Sequence, residues 1–266
     1  MTKSPLRYPG GKSKFLSQIL PRVPSFLEYR EPFVGGGSVF LALKQQYPDQ
    51  VYWINDLYFE LYLFWKQVQQ DLGGMVAQVT QWRQQFPDGK ELYQYLHTNQ
   101  NQFTPLERAS AFFVFNRITF SGTTESGGFS EQAFQKRFTP SSIRRLSQLQ
   151  GMLSNTTITN LDYEAVVKAP GEGVFLYLDP PYYSATKSAL YGKRGVLHKS
   201  FDHQRFAKVM YDCPHQWLIT YDDHPYIRNL FSFACIREWR VTYGMRNQTE
   251  NSTQASTELF LSNFDF

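Results

Sequence analysis

The sequence predicts an α/β fold in which an open, doubly wound sheet carries an inserted helical domain. Strand-like and helix-like runs alternate before residue 57 and after about residue 150, which is typical of such a sheet. Between these points, runs with helical periodicity dominate. We therefore expect a sheet domain built from 1–56 and 151–266, and a helical insertion over 57–150.

The individual elements follow from local patterns. Apolar and β-branched runs predict strands at 26–29, 51–55, 156–160, 174–178 and 216–220. Apolar residues with a helical period predict helices at 39–46, 57–72, 75–85, 105–115 and 204–211, with a break near Pro87 and Gly89. Ser38 is the expected N-cap of the first helix, and Asp202 or Ser200 that of the last. Two further runs, 236–243 and 257–262, predict a C-terminal β-hairpin.

Composition bounds the class of protein. The 266 residues are 42% hydrophobic, which is ample for a packed core. No apolar run approaches the ~20 residues of a membrane span, and the first residues lack a signal-peptide pattern, so a cytoplasmic protein without membrane contact is expected. Cys213, Cys235 and five scattered histidines predict neither a disulfide framework nor a metal site. The net charge of +4 is compatible with a polyanionic partner without requiring one.

The tetrapeptide Asp179-Pro180-Pro181-Tyr182 is the most informative motif, and it follows the predicted strand 174–178. Open α/β sheets carry their sites at the carboxyl ends of strands. The prolines hold a rigid turn and leave the carbonyls of Asp179 and Pro180 free as acceptors. A carboxylate and a carbonyl can take both hydrogens of an exocyclic amine, while the Tyr182 ring lies against its heterocycle. The alternative is a strand that simply ends in a proline turn with a capping aspartate.

A glycine-rich loop, 31–38, lies between the predicted strand 26–29 and the helix 39–46. Asp56 ends the next strand, and an acid at this spacing can bind ribose hydroxyls. The loop and Asp56 together favour a nucleoside-bearing cofactor, whereas the loop alone could be an ordinary turn that needs positive backbone angles. Gly11-Lys12-Ser13 matches the end of a phosphate-binding loop, but Leu6 occupies the place of the first glycine and no strand precedes it.

In this order and spacing, the segments resemble the DNA adenine methyltransferases that modify the 6-amino group, the alpha group typified by bacterial Dam enzymes. The resemblance covers nearly the whole chain and implies a Rossmann-like class I methyltransferase sheet that binds S-adenosyl-L-methionine. It implies that the segment Tyr8-Pro9-Gly10-Gly11-Lys12 lies over the cofactor and that Asp56 binds its ribose. Asp162 would meet the adenine of the cofactor. The residues expected beside its methionine moiety are Glu31, Phe33, Gly35 and Gly37. Asp179, which also adjoins the cofactor, would act with Pro180 and Tyr182 in catalysis.

The resemblance also implies that the insertion 57–150 is a target-recognition domain for double-stranded DNA. Its expected reading surface is the loop 116–129, with the candidate DNA contacts Arg117, Phe120, Ser121, Thr123, Thr124 and Glu125. The basic residues that follow, Lys136, Arg137, Arg144 and Arg145, are candidates for phosphate contacts. Lys193 and Arg194 belong to a basic loop, 184–200, that could close over flipped DNA. Alternatively, 116–129 is an ordinary flexible surface loop beside a solvated basic helix, and 184–200 is a disordered connector.

Two further details concern the target. Family members that read GATC carry an arginine near the position of Glu125, and a carboxylate suits the cytosine amino group rather than guanine. We therefore hypothesise that Glu125 or its threonine neighbours read a different flanking base. Tyr221, Asp222 and Asp223 follow the predicted strand 216–220 and are candidates for lining the base pocket, with strand capping as the alternative.

The chemistry leaves other functions open. A protein-amide or RNA methyltransferase could share the fold, but those families usually carry Asn at the first position of the tetrapeptide, where this chain has Asp179. A cytosine methyltransferase would more often carry Ser there. A catalytically silent DNA-binding relative is the third alternative. The residues that argue against it, all intact, are Lys12, Asp56, Asp179 and Tyr182. A restriction endonuclease in the same system is a possible partner, and a monomer or weak dimer is expected.

Overall fold

Seven strands form one sheet in the computed structural model, which describes residues 2–8, 10–120, 127–184, 201–241 and 256–266. The strands are β1 (Glu28–Glu31), β2 (Val51–Asn55), β3 (Thr156–Thr159), β4 (Val174–Leu178), β5 (Gln216–Asp222), β6 (Cys235–Val241) and β7 (Ser256–Ser262). Their order is β3-β2-β1-β4-β5-β7-β6. The first five are parallel, whereas β7 pairs antiparallel with both β5 and β6.

Helices connect the strands and cover the sheet. They are α1 (Leu16–Ile19), α2 (Ser38–Gln46), α3 (Phe59–Gln85), α4 (Gly89–Asn99), α5 (Pro105–Ile118), α6 (Glu131–Arg137), α7 (Pro140–Ser147), α8 (Tyr163–Lys168), α9 (His203–Tyr211) and α10 (Pro225–Leu230). Two 3₁₀ turns, Lys12–Lys14 and Leu20–Arg22, flank α1. No helix in the described ranges is both long and apolar enough to cross a membrane.

The register of the parallel strands gathers their carboxyl ends at one edge. Glu28 at the start of β1 pairs with Val51 of β2 on one side and Val174 of β4 on the other. The loops that leave β1, β2, β3 and β4 therefore emerge side by side. These loops contain most of the polar residues predicted for the site, which is why residues far apart in sequence meet there.

The helical segment between β2 and β3 shares its apolar core with the sheet. Trp65 of α3 meets Phe40 of α2 edge to face, with ring centroids 6.3 Å apart, and Phe64 stacks on Phe113 of α5 at 6.4 Å. The amide of Gln69 donates to the carbonyls of Leu153 and Thr156 at 3.0 and 2.7 Å, which fixes α3 to the entrance of β3. The separation of 57–150 as a domain stays a prediction.

Several boundaries differ from the sequence-based expectations. The predicted helices 57–72 and 75–85 join into α3, with a kink at Asp71, whose carboxylate accepts from the Gly74 amide at 2.8 Å. Ser38 is the first residue of α2 rather than its N-cap. Gly37 occupies the cap position with φ +65°, and no side chain caps the helix. Asp202 is confirmed as the cap of α9, where its carboxylate accepts from two backbone amides.

Candidate active site

Asp179 lies immediately after β4, and its carboxylate is held from two sides. Thr220 of the neighbouring strand β5 donates its hydroxyl to Oδ1 at 2.9 Å, and Tyr177 adjoins that hydroxyl at 2.9 Å. Lys12 donates to Oδ2 at 2.7 Å. Because Pro180 cannot donate a backbone hydrogen, the strand pairing ends at this point. Asp179 remains 21% exposed, so it is accessible at the carboxyl edge of the sheet.

Lys12 reaches the site from a segment that precedes the first strand. Its side chain is only 4% exposed, and its ammonium also donates to the Gly10 carbonyl at 3.0 Å. Gly10 has φ +71°, and the Gly11 amide donates to the Tyr8 carbonyl at 3.0 Å, so the turn is tightly closed. The same ammonium lies 5.0 Å from the centre of the Tyr182 ring. The turn therefore places one cation against both predicted catalytic side chains.

Tyr182 is fixed at its hydroxyl and along its ring. The hydroxyl donates to the buried Glu258 carboxylate of β7 at 2.7 Å. The ring stacks on Tyr221, with centroids 5.9 Å apart and planes 27° apart. His203 Nδ1 contacts the Tyr221 hydroxyl in turn. Sequence reasoning did not predict a role for Glu258 or His203, because nothing in the local pattern connects β7 or α9 with the tetrapeptide.

The residues after Tyr182 are held by Asp222. Its two carboxylate oxygens accept from the backbone amides of Tyr183 and Ser184 at 3.0 and 2.8 Å. Asp223 instead pairs with Arg228 at 2.6 Å. Asp222 therefore holds the residues that follow Tyr182, and Asp223 forms an ion pair. These contacts agree better with strand capping than with a role in lining the base pocket.

The glycine-rich loop after β1 packs closely against its neighbours. Gly35 and Gly37 have φ of +48° and +65°, a region that favours glycine. A Cβ on Gly35 would lie 3.0 Å from the Tyr8 ring, and one on Gly37 only 2.7 Å from Trp65. Trp65 donates its indole hydrogen to the Gly35 carbonyl at 3.1 Å. The glycines therefore serve close packing against Tyr8 and Trp65.

Asp56 connects the glycine-rich loop to the end of β2. Its oxygens accept from the amides of Gly35 and Tyr58, each at 3.0 Å. Burial raises its pKa to about 6, and the two amide hydrogen bonds oppose that rise. A carboxylate has about four acceptor positions, so two amide bonds leave room for the hydroxyls of a ligand.

Asn55 is a structural residue of the site that sequence reasoning missed. It is 1% exposed and uses its whole amide group. The nitrogen donates to the carbonyls of Pro32 and Leu161 at 3.1 and 3.0 Å, while the oxygen accepts from Thr159 and from the Leu161 amide, both at 2.8 Å. Asn55 thereby ties together the loops that follow β1 and β3.

Glu31 is a buried acid at the end of β1. The Tyr29 hydroxyl donates to its Oε2 at 2.6 Å. Burial raises the pKa of Glu31 to about 8, the Tyr29 hydrogen bond opposes the rise, and the charges of Asp179 and Asp56 add to it. Glu31 therefore lies close enough to Asp179 and Asp56 for the three acids to influence one another electrostatically.

Asp162 and Phe33 lie on the flank formed by α8 and α9. Asp162 caps α8 by accepting from the Glu164 amide at 3.0 Å, and Arg205 of α9 holds both its oxygens, at 3.0 and 2.8 Å. Phe33 packs on Tyr163 with centroids 5.5 Å apart. The bidentate Arg205 contact was not predicted, since 43 positions separate the two residues.

The predicted DNA-contacting residues divide into three groups. Phe120 is exposed to 60%, Lys136 is exposed and Arg137 is half-buried. Arg117, in contrast, belongs to the last turn of α5 and is only 4% exposed, so the expected loop surface does not begin at residue 116. The remaining candidates, Ser121, Thr123, Thr124, Glu125, Lys193 and Arg194, lie outside the described residues, as does Pro9.

Comparison with known families decides the class of the protein. The sequence model of the D12 class N6 adenine-specific DNA methyltransferases matches residues 8–245. The chain belongs to this family. The predicted adenine methyltransferase relationship and the Rossmann-like α/β class are thus confirmed, and the D12 chain is a site-specific DNA methyltransferase for adenine.

Individual relatives agree with the D12 assignment. The type II methyltransferase M.MjaIII of Methanocaldococcus jannaschii is 29% identical over 206 residues, which is 69% of this chain and 70% of that protein. The DNA N-6-adenine-methyltransferase of Escherichia phage P1 is 28% identical over 86% of this chain, a stretch that spans 31% of the phage protein. The DNA adenine methylase of Vibrio cholerae is 27% identical, with 66% of this chain and 64% of that protein covered.

Proposed function

We propose that this protein transfers a methyl group from S-adenosyl-L-methionine to the 6-amino group of an adenine flipped out of double-stranded DNA. The observation that carries the proposal is the arrangement at the end of β4. There, an oriented Asp179 carboxylate and the Pro180 carbonyl adjoin the anchored ring of Tyr182. These are the acceptors and the aromatic surface that a flat, amino-bearing base requires.

The acids at the carboxyl edge fit S-adenosyl-L-methionine. Burial and the charges of Asp179 and Asp56 raise the pKa of the nearby Glu31. A ligand that carries a sulfonium, an ammonium and ribose hydroxyls would offset the repulsion among these acids and favour the ionised form of Glu31. Asp56 would hold the ribose, Glu31 and the glycine-rich loop the methionine part, and Phe33 with Asp162 the adenine end. Asp162 would have to share its oxygens between Arg205 and that adenine. The bound cofactor supplies an electrophilic methyl group.

Asp179 and Pro180 would act on the target amine. The amino nitrogen is a poor nucleophile because its lone pair is delocalised into the ring. When Asp179 and the Pro180 carbonyl accept its two hydrogens, the lone pair is directed out of the ring plane. The negative charge of Asp179 also stabilises the positive charge that develops on nitrogen. The proton released after transfer leaves through Asp179 to solvent. In this step the amine takes the place of Lys12 on Oδ2.

Tyr182 would hold the flipped base. Duplex DNA hides the 6-amino group, and extruding a base costs a few kcal/mol. Stacking on an aromatic ring recovers about 1–3 kcal/mol per base. The hydrogen bond to Glu258 and the stacked Tyr221 fix the orientation of this ring before the base arrives. Preorganisation of this kind lowers the entropic cost of aligning the amine with the methyl group.

The helical segment would form the DNA-recognition part. Lys136 and Arg137 lie in the last turn of α6, and the exposed Phe120 follows α5, where its amide donates to the Gly128 carbonyl at 3.2 Å. We propose that this segment binds duplex DNA, with a monomer or weak dimer as the active form in the cytoplasm. A restriction endonuclease of matching specificity is a further proposed partner. Protection of DNA from such an endonuclease after methylation would support that pairing.

The direct test measures methyl transfer and its position. Purified protein is incubated with labelled S-adenosyl-L-methionine and unmodified genomic DNA, and modified adenines are mapped by long-read sequencing. We expect label in DNA and methyladenine within one enriched motif. The Asp179→Asn variant serves as the matched control and should bind the cofactor without transferring label. Transfer to RNA or to protein, with DNA unlabelled, would overturn the proposal in favour of those substrates.

A further inference from the structure

Four arginines from four separate parts of the chain interact electrostatically beside the helical segment. They are Arg7, which precedes the cofactor turn, Arg117 in the last turn of α5, Arg137 in the last turn of α6, and Arg145 in the last turn of α7. Arg7 and Arg117 are fixed as neighbours. The side chain of Asn116 accepts from the Arg7 amide at 2.8 Å and donates to the Arg7 carbonyl at 2.7 Å.

The two inner arginines have buried hydrogen-bond donors without partners in the part of the chain that the structure describes. Arg117 is 4% exposed, and neither its Nε nor its Nη2 has a hydrogen-bond partner there. The buried Nη1 of Arg7 is likewise unpaired within the described ranges. Among the described residues, no carboxylate forms an ion pair with any of the four guanidinium groups. A buried donor left unsatisfied is unfavourable, and more so when it is charged.

The four positive charges also repel one another. Burial, together with the charges of Arg145, Arg7 and Arg137, lowers the pKa of Arg117 to about 9. The pKa of Arg7 is lowered by burial and by Arg137. The Phe113 ring, whose centre lies 5.4 Å from the Arg117 guanidinium, offsets part of this cost. An anion at this place would satisfy the donors and remove the repulsion together.

We propose that Arg7, Arg117, Arg137 and Arg145 form a site for one phosphate of the DNA backbone. The inference rests on the proposed function and adds a specific contact point to it. Guanidinium groups present planar, paired donors that match phosphate oxygens. Arg137 is half-buried and Arg145 exposed, so they form the entrance, while Arg117 forms the floor. Phe120, 60% exposed and three residues after Arg117, places the site beside the predicted reading loop.

The site also connects DNA with the cofactor region. Arg7 directly precedes Tyr8, whose ring packs against Gly35 and Gly36 of the glycine-rich loop. A phosphate held by Arg7 would therefore restrain the segment that packs against this loop and contains Lys12. The expected consequence is positive coupling: duplex DNA tightens the binding of the cofactor, and by linkage the cofactor tightens DNA binding.

The test compares members of the site with a basic residue outside it. Arg145→Gln removes a member of the site, whereas Lys208→Gln removes an exposed charge of α9 as a control. We expect Arg145→Gln and Arg7→Gln to weaken duplex binding roughly tenfold and to lower the salt-dependence slope by about one. Lys208→Gln should leave the slope unchanged. Equal effects of Lys208→Gln and Arg145→Gln would overturn the site.

Inorganic phosphate distinguishes a DNA contact from a site for a free anion. Phosphate should raise the melting temperature of the wild-type protein and should do so less in Arg145→Gln and Arg7→Gln. Thermal stabilisation by phosphate, combined with unchanged duplex affinity of the variants, would overturn the DNA contact in favour of a free phosphate ligand. Cofactor affinity measured with and without DNA completes the test, and unchanged coupling in Arg7→Gln would overturn the connection to Tyr8. These binding measurements do not depend on methyl transfer, so they separate this proposal from the proposed function.

Discussion

The ammonium of Lys12 lies 2.7 Å from the Asp179 carboxylate, although 167 positions separate the two residues in the chain. The pair joins the turn that precedes the sheet to the end of its central strand β4. With the Thr220 hydroxyl on the other carboxylate oxygen, Asp179 has a single well-defined orientation. Its chemistry therefore depends on two separate donors, one of which must yield to the substrate.

Substitution at Asp179 tests its catalytic role. Asp179→Asn keeps the size of the side chain but removes the charge that stabilises the developing cation, so we expect methyl transfer to fall by at least about 100-fold. Thr220→Val keeps the carboxylate but removes one of the donors that orient it. The loss of methyl-transfer rate in this variant should therefore be smaller than in Asp179→Asn. Single-turnover rates measure both effects, with cofactor binding as the control for folding. Wild-type rates in Asp179→Asn would rule out the proposed role.

Variants of Tyr182 separate its ring from its hydroxyl. Tyr182→Phe keeps the stacking surface but removes the donor to Glu258, so stability should fall by about 1–3 kcal/mol, and the rate should fall less than in an alanine variant because the stacked Tyr221 still orients the ring. Tyr182→Ala removes the surface itself and should lower kcat/KM by roughly 10- to 100-fold, as expected for about 1–3 kcal/mol of stacking. Denaturant unfolding and steady-state kinetics give the two quantities. Equal kinetic losses in both variants would contradict the stacking role.

Gly37 provides a test of close packing in the cofactor loop. Alanine at this position combines φ +65° with a Cβ only 2.7 Å from Trp65. Gly151 is a matched control, because it has φ +75° and no atom within 4 Å of the added Cβ. Gly151→Ala should therefore show only the backbone cost of about 1 kcal/mol, and Gly37→Ala a larger loss. Similar melting temperatures for the two variants would show that the loop adapts freely.

The elevated pKa of Glu31 predicts a specific dependence of stability on pH. The folded protein holds a proton on Glu31 up to about pH 8, whereas the unfolded chain releases it near pH 4.5. Stability should therefore fall as pH rises between these values, by up to about 1.4 kcal/mol per pH unit. Asp56 acts in the same direction only up to about pH 6.

Glu31→Gln should flatten this decline, and the clearest window is pH 6 to 8, where Asp56 no longer contributes. Urea unfolding of wild type and variant at several pH values measures the slope. Parallel stability curves for the two proteins would exclude Glu31 as its source.

Elements whose pattern is purely local were predictable from the sequence. The strands 51–55 and 174–178 agree with β2 and β4 to the residue, because continuous apolar and β-branched runs between turn residues leave little choice. The motif residues were also identified correctly as neighbours of the sheet edge, since parallel strands place their carboxyl ends together.

Tertiary contacts between distant segments were not predictable. The burial of Arg117 depends on the packing of α5, and a basic residue after an apolar run looks exposed from sequence alone. The bidentate contact between Asp162 and Arg205 requires α8 and α9 to meet, which no local pattern indicates. The sequence pattern predicts two helices, 57–72 and 75–85, where the structure has one helix with a kink at Asp71.

The position of β7 has a consequence for synthesis of the chain. The ribosome releases β6 before β7, yet β7 lies between β5 and β6 in the sheet. Until residues 256–262 have emerged, β6 has no strand to pair with, the edge of β5 is open, and Tyr182 lacks Glu258. A nascent chain therefore carries two unpaired strand edges that favour association with other chains. The reactive end of the sheet is completed only once β7 has emerged, so a nascent chain gains this part of its site in one step rather than gradually.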